Sequence, residues 1–223
     1  MTATEGLLLR LGSLEPMDVP SSLVPLARAG RIAPAFHLPL QHASDAVLAR
    51  MRRPYTIDGY RRLVNGLRTA LPGASIGADV IVGFPGETDR DFELLCEYLG
   101  VSPLTQLHVF PYSERPGTEA ARLPNRVHGE VIRARGRRIR DIGESLRRGF
   151  QRGQIGAERV ALTIEDGRVA VTDNGLRLAI GPGHARNERV LVEVVDIGRG
   201  RVIEREPGPS VHSVRRAEGP RHS

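Results

Sequence analysis

The stretch from Asp79 to Thr88, Asp-Val-Ile-Val-Gly-Phe-Pro-Gly-Glu-Thr, constrains the fold of this chain more than any other. Its first half is an apolar, β-branched run, the composition of a strand buried on both faces. Gly83, Phe84, Pro85 and Gly86 stop the run. Thr88, with Asp91 three residues later, has the spacing of a capping box that opens a helix, and Phe92, Leu95 and Leu99 give that helix an apolar face. In α/β folds such a junction lies at the carboxyl end of a strand, where ligands bind. A glycine turn serves internal packing as readily as ligand approach, so the junction alone leaves both roles open.

Similar units flank it. Residues 6–11 read as a buried strand ending at Ser13-Leu14-Glu15-Pro16, and residues 35–40 as a second ending at Gln41-His42-Ala43-Ser44. The third strand spans 76–82, and the fourth, 104–110, ends at Pro111-Tyr112-Ser113. Helical patterns lie between them: residues 21–29, residues 45–52 with Ser44 as cap, and residues 56–71. In the last, Ile57, Tyr60, Leu67 and Leu71 recur at helical spacing before Pro72-Gly73. Four strands alternating with helices predict a parallel sheet with right-handed crossovers, doubly wound or part of a barrel. Four are few for either arrangement, and a core strand almost at residue 1 leads us to expect that a preceding part is missing.

Residues 127–150 read as one long helix with Ile132, Ile139, Ile142, Leu146 and Phe150 along its apolar stripe. Between Arg126 and Arg152, nine arginines stand against Glu130, Asp141 and Glu144; the difference, 9 − 3 = +6, equals the net charge of the whole chain. Such a helix has either a solvated charged face or a phosphate-contacting one, and Arg133, Arg137, Arg140 and Arg147 are the candidates for contact. Past Gly153 the pattern alternates with period two. Short segments at 159–164, 168–172, 176–180, 189–197 and 201–204, joined by turns such as Asp166-Gly167 and Asn174-Gly175, predict a small all-β barrel. The expected units are therefore 1–125, a linker helix at 126–152, a barrel at 153–205 and a disordered tail at 206–223.

Cys96 is the only cysteine, which excludes a disulfide framework and any Cys-only zinc or iron–sulfur site within this chain. It falls on the apolar face of its helix and reads as a buried structural thiol. The histidines show no metal-ligand spacing, His37 reads as a packed strand residue, and no metal ligands are assigned. No apolar run approaches the ~18 residues of a membrane span. No basic region precedes Leu7-Leu8-Leu9, so a soluble cytoplasmic protein is expected. The basic surplus suits a polyanionic partner.

His37-Leu-Pro-Leu-Gln41, then Ser44-Asp45, Leu48, Met51-Arg52-Arg53 and Tyr55, resembles the family pattern H-x-P-x-Q-S-G-S followed by L-x-x-M-x-R-x-Y. Asp79 to Thr88, with Phe92 after it, resembles the next strand and turn of that family. Pro111-Tyr112-Ser113-x-Arg115-x-Gly117-Thr118-x-Ala120 is similar to its last. The family is that of the radical S-adenosylmethionine (SAM) methylthiotransferases, which act on tRNA adenosine next to the anticodon or on a ribosomal protein. Arg10-Leu-Gly-Ser-Leu-Glu-Pro16 leans toward the branch that modifies threonylcarbamoyladenosine.

The resemblance spans about residues 7 to 205. It implies an α/β partial (β/α) radical-SAM-type barrel made of the last four βα units, followed by a TRAM-like RNA-binding β-barrel. It also implies SAM and a 4Fe-4S cluster as cofactors and tRNA as partner. SAM contacts would fall on Ser13, Glu15, Gln41, Gly83, Gly86 and Glu87, and substrate contacts on Tyr112 and Arg115. The family's Cys-x-x-x-Cys-x-x-Cys loop and its three further cluster cysteines have no counterpart here, and Gln-Ser-Gly-Ser has become Gln41-His42-Ala43-Ser44. We therefore expect the C-terminal part of a methylthiotransferase, with no catalytic residue assigned and no activity alone, its other half absent or carried by a separate chain. The alternatives are a non-catalytic RNA-binding remnant and a fragment of a ribosomal-protein methylthiotransferase.

Overall fold

The structure, a computed structural model, describes residues 8–205. Three apolar runs satisfy their backbone groups against one another as a parallel sheet in sequence order: β1 (Ala35–His37), β2 (Ser75–Val82) and β3 (Gln106–Pro111). Parallel strands need crossovers. Helices α2 (Asp45–Arg50) and α3 (Ile57–Ala70) link β1 to β2, α4 (Asp89–Val101) links β2 to β3, and α1 (Leu23–Arg28) precedes β1. Ser44 accepts from Val47 N–H and Thr88 with Asp91 completes the capping box, as the residues predict; Thr56 caps α3 as well, accepting from Gly59 N–H, whereas Ser22, expected as a cap for α1, makes no side-chain cap bond.

The alternation of β2 fixes the two faces of the sheet. Ile76, Ala78, Val80 and Val82 are fully buried in one core with Tyr60, Val64, Leu95 and Leu99 of the helices. Asp79 and Ile81 point the other way, beside His108 and Phe110 of β3, and Phe110 stays 49% exposed. Helix α5 (Gly129–Gly153) crosses the buried side of β3, with Ile139 wholly enclosed. Gly143 allows this approach, since a Cβ there would stand 3.2 Å from Leu107 Cβ.

The expected strand at 6–11 is not a strand. Residues 6 and 7 lie outside the described residues. The following stretch runs extended beside β1 with two isolated bridges, Leu9 to Ile32 and Ser13 to His37. Between them one side advances 13 − 9 = 4 residues and the other 37 − 32 = 5, so one residue bulges out. Pro34, which has no N–H to give, sits in that gap. The expected strand at 35–40 likewise stops at His37, because Pro39 cannot donate. The ladder resumes at Gln41, whose N–H donates to the Asp79 carbonyl and whose carbonyl accepts from Ile81 N–H. Three strands with a broken fourth margin replace the four expected.

The C-terminal half follows the period-two reading. Strands β4 (Glu158–Ile164), β5 (Val169–Thr172), β6 (Arg177–Ala179), β7 (Arg189–Asp196) and β8 (Arg199–Arg205) close in the order β4-β5-β6-β8-β7. Ala170, Leu178, Val190, Val192 and Val194 fill the interior. The Gly73 carbonyl fastens this barrel to the α/β half, accepting from Asn174 Nδ2 (2.8 Å) and Arg159 Nη2 (3.2 Å). The tail expected to be disordered, 206–223, lies outside the described residues. No helix among the described residues is long and apolar enough to cross a membrane.

If α5 belongs to the core, Ile139→Ala should cost about 3 kcal/mol in urea unfolding, the usual loss for an enclosed aliphatic side chain. A loss below about 1 kcal/mol would mean that the helix lies on the sheet without being part of it.

Candidate functional site

The turn after β2 leaves backbone N–H groups without strand partners, and a carboxylate folds back to take them. Glu87, fully buried, accepts from Gly83 N–H (2.6 Å) and Phe84 N–H (3.2 Å). Its other oxygen accepts from Arg135 Nη1 of α5 at 2.6 Å, and the second arm of that guanidinium reaches Asp89 Oδ1 at 2.6 Å. Arg135 is 6% exposed and also lies over the Phe92 ring. Burial pushes the Glu87 carboxyl up in pKa, while Arg135 and the two N–H groups pull the other way.

The glycines of this turn meet the protein itself. Gly83 and Gly86 have φ of +81° and +80°. A Cβ at Gly83 would fall 2.4 Å from Ile132 Cγ1, and one at Gly86 3.2 Å from Arg50 Nε. In this structure the close backbone approach they permit is that of α5 and α2.

His42 lies behind the same turn with no exposure. Its Nδ1 accepts from Ser44 N–H at 2.9 Å, and its Nε2 faces Glu87 Oε2 at 3.8 Å without a hydrogen-bond partner among the described residues. Burial lowers its pKa to about 4; Asp91 pulls the value up, and Arg50 and Arg135 push it down. Burial works against charge on Asp91 too. Hydrogen bonds from Ser44 Oγ (2.5 Å) and from Thr88 nonetheless hold its carboxyl below the usual range.

The open face of the sheet carries a cleft of about 400 Å³ at the carboxyl ends of β2 and β3, lined by Gln41, Asp79, Ile81, Phe110, Tyr112 and Arg115 among others. Gln41 enters it from a left-handed backbone, φ +63°. The Tyr112 ring packs edge-on against Phe84 with centroids 5.3 Å apart. Its buried Oη has no hydrogen-bond partner among the described residues. A hydroxyl closed to solvent in this way costs free energy and offers nothing to an open cleft.

Of the residues singled out from sequence, the cleft thus gathers Gln41, Tyr112 and Arg115. Ser13 instead bridges His37, and Glu15 stands 3.7 Å from Arg53. Gly83, Gly86 and Glu87 turn toward the helices. Arg133, Arg137, Arg140 and Arg147 are all exposed on α5; Arg147 forks onto Glu144 at 3.0 and 2.9 Å. Larger grooves lie elsewhere: about 820 Å³ between the end of α5 and the barrel, and about 720 Å³ near the amino end of β3. Sequence reasoning missed Arg135. The signal was present, because 132, 135, 139, 142 and 146 form one helical stripe and Arg135 falls among its isoleucines.

Residues 10–99 match the model of the Radical SAM superfamily, so β1, β2 and their turns are part of a radical SAM unit. The chain is 38% identical over 172 residues to the threonylcarbamoyladenosine tRNA methylthiotransferase MtaB of Aquifex aeolicus, covering 76% of this chain and 42% of that protein. It is 38% identical over 148 residues to the tRNA-2-methylthio-N(6)-dimethylallyladenosine synthase of Streptomyces avermitilis, covering 66% of this chain and 29% of that one. The chain belongs to the radical SAM tRNA methylthiotransferase family. It spans less than half the length of these curated relatives.

The donors present do not fit an iron–sulfur cluster. Such clusters are held by several thiolates, whereas Cys96 is single and buried, its thiol pKa pushed up by that burial. The cleft is a different matter, with apolar walls and the Gln41 and Arg115 side chains among its lining.

His42 gives this region a measurable pH signature. Its folded pKa lies below the unfolded value of about 6.5, so the unfolded state takes up the proton first and stability is lost as pH falls from 6.5 toward 4. The loss should be about 3 kcal/mol by pH 4. His42→Gln, neutral throughout, should flatten the fall in unfolding free energy by that amount. An identical pH profile in the variant would show that His42 is not held neutral.

Proposed function

We propose that this chain is the C-terminal part of a tRNA methylthiotransferase of the threonylcarbamoyladenosine-modifying branch. In this reading the open-face cleft is one wall of the SAM site, and the small barrel, taken as TRAM-like, joins the exposed arginines of α5 in holding tRNA in the cytoplasm. The observation that carries the cleft assignment is an apolar-walled recess at the carboxyl edge of the sheet that gathers Gln41, Tyr112 and Arg115. When bound, SAM supplies the adenosyl group from which the family's radical chemistry starts. The residues of this chain have the tasks of holding and drying it. Ile81 and Phe110 cover an apolar surface and exclude water, while Gln41 and Arg115 offer hydrogen bonds that fix orientation.

The chain alone is proposed to be inactive, because one buried thiol does not replace three cluster ligands. A non-catalytic RNA-binding role is the second reading. It is favoured by Arg133, Arg137, Arg140 and Arg147, which fall on one exposed face of α5.

For the cleft, titration calorimetry with S-adenosylhomocysteine should show binding that Gln41→Ala and Arg115→Ala each weaken about 5–10-fold, the worth of one hydrogen bond. Unaltered affinity in both variants would move the site elsewhere. After anaerobic iron–sulfide reconstitution and dithionite, 5′-deoxyadenosine above background would show that the chain is active by itself. For tRNA, the slope of log affinity against log salt should fall by roughly 3–4 when the four arginines are changed to alanine. An unchanged slope would remove α5 from the RNA surface.

A further inference from the structure

Further toward the amino ends of the strands, the same open face brings together three metal-ligating side chains, one from each strand: His37 of β1, Asp79 of β2 and His108 of β3. His37 Nε2 stands 3.0 Å and His108 Nδ1 3.2 Å from the same Asp79 Oδ1. The ligand atoms all lie within 4.8 Å of one another. The register of the sheet produces this meeting. Asp79 pairs directly with His108, while His37 pairs with Gly77 one row back. The missing side chain at Gly77 makes room for the His37 ring, since a Cβ there would stand 3.1 Å from its Nδ1.

We propose that His37, Asp79 and His108 form a mononuclear site for a divalent transition cation of the zinc class. Metal–ligand bonds of about 2.0–2.1 Å in tetrahedral geometry set neighbouring ligand atoms about 3.3–3.4 Å apart. The observed 3.0 and 3.2 Å open by a few tenths of an ångström to admit the ion, and the two imidazole nitrogens, within 4.8 Å of one another, adjust to the same spacing. Two imidazoles and one carboxylate suit zinc, cobalt or iron(II) and not the all-oxygen shells of calcium or magnesium.

A side chain able to make the outer contact of a metal-binding histidine is also at hand. Gln106 Nε2 lies 3.0 Å from His108 Nε2. On metal binding the amide would turn over, its carbonyl accepting from Nε2–H and leaving the Nδ1 lone pair for the ion. Three protein ligands leave a fourth position open, the pattern of a site that can take a substrate atom. Because Asp79 also lines the cleft, the ion would sit at the foot of that recess. The site contains no thiolate and is not a cluster site. It stands independently of the SAM assignment, since it concerns the metal alone.

The test uses tag-free full chain, stripped with chelator, and Zn²⁺ alone. Equilibrium dialysis should give one tightly held Zn²⁺ per chain, and Co²⁺ should give the visible bands of a low-coordinate site that Zn²⁺ abolishes. His37→Ala and His108→Ala should each weaken Zn²⁺ about 100-fold, and Gln106→Leu about 10-fold. His128→Ala, on an exposed residue at the start of α5, should leave it unchanged. If an alanine variant fails to fold, Asp79→Asn keeps the shape and removes the charge, and should show the same loss. Sub-stoichiometric uptake by the wild type, or equal affinity in the ligand variants and the His128 control, would overturn the site.

Discussion

The carboxylate of Glu87 is the constraint from which most of the α/β half follows. Two backbone N–H groups at the end of β2 and the guanidinium of Arg135 converge on it, in a place where none of them reaches water. A buried ion pair of this kind adds little net stability compared with an apolar filling of the same volume. Losing one partner, however, strands the other at a cost of about 3–5 kcal/mol. The arrangement ties the turn to α5, whose Ile132 occupies the space left by Gly83.

The same pair sorts the arginines of α5. Arg135 faces the turn and Arg138 pairs with Glu93 of α4 at 2.5 and 2.9 Å, so part of the helix's charge is spent within the fold. Arg137 and Arg140 remain exposed without an ion pair among the described residues. A count of charges along the helix merges two populations that differ in surroundings and in work. The inward arginines sit on the stripe of isoleucines or beside it, and only the outward ones bear on a partner.

What was legible in the sequence was local. Thr88 and Asp91, Ser44, the isoleucine stripe of α5 and the alternating strands of the small barrel each carry their own signal within a few residues, and each appears as an element of the structure. The failures came where the outcome depended on a partner strand. Residues 6–11 read as a strand, but from Leu9 onward the extra residue opposite and Pro34 break the ladder. Glu87 and the two glycines could have faced a ligand or a helix equally well; only the placement of Ile132 and Arg50 settles which they touch here. His37, Asp79 and His108 are far apart in the chain, so no spacing rule within one segment could join them. The parallel register does so.

Helix α5, finally, is a mechanical part as well as a packing one. Its 25 residues make a rod of about 37 Å. It is gripped near its start by Glu87 and runs at its far end into the small barrel. From Arg135 to its end the helix runs about 27 Å across β3, so a tilt of about 5° about the Glu87 contact corresponds to a sweep of about 2 Å at the far end. The Gly73 carbonyl, clasped from the barrel side, acts as a stop on that sweep. Small rearrangements of the turn beside the cleft would therefore be felt by the barrel as leverage, with the reach of one set by the rigidity of the other.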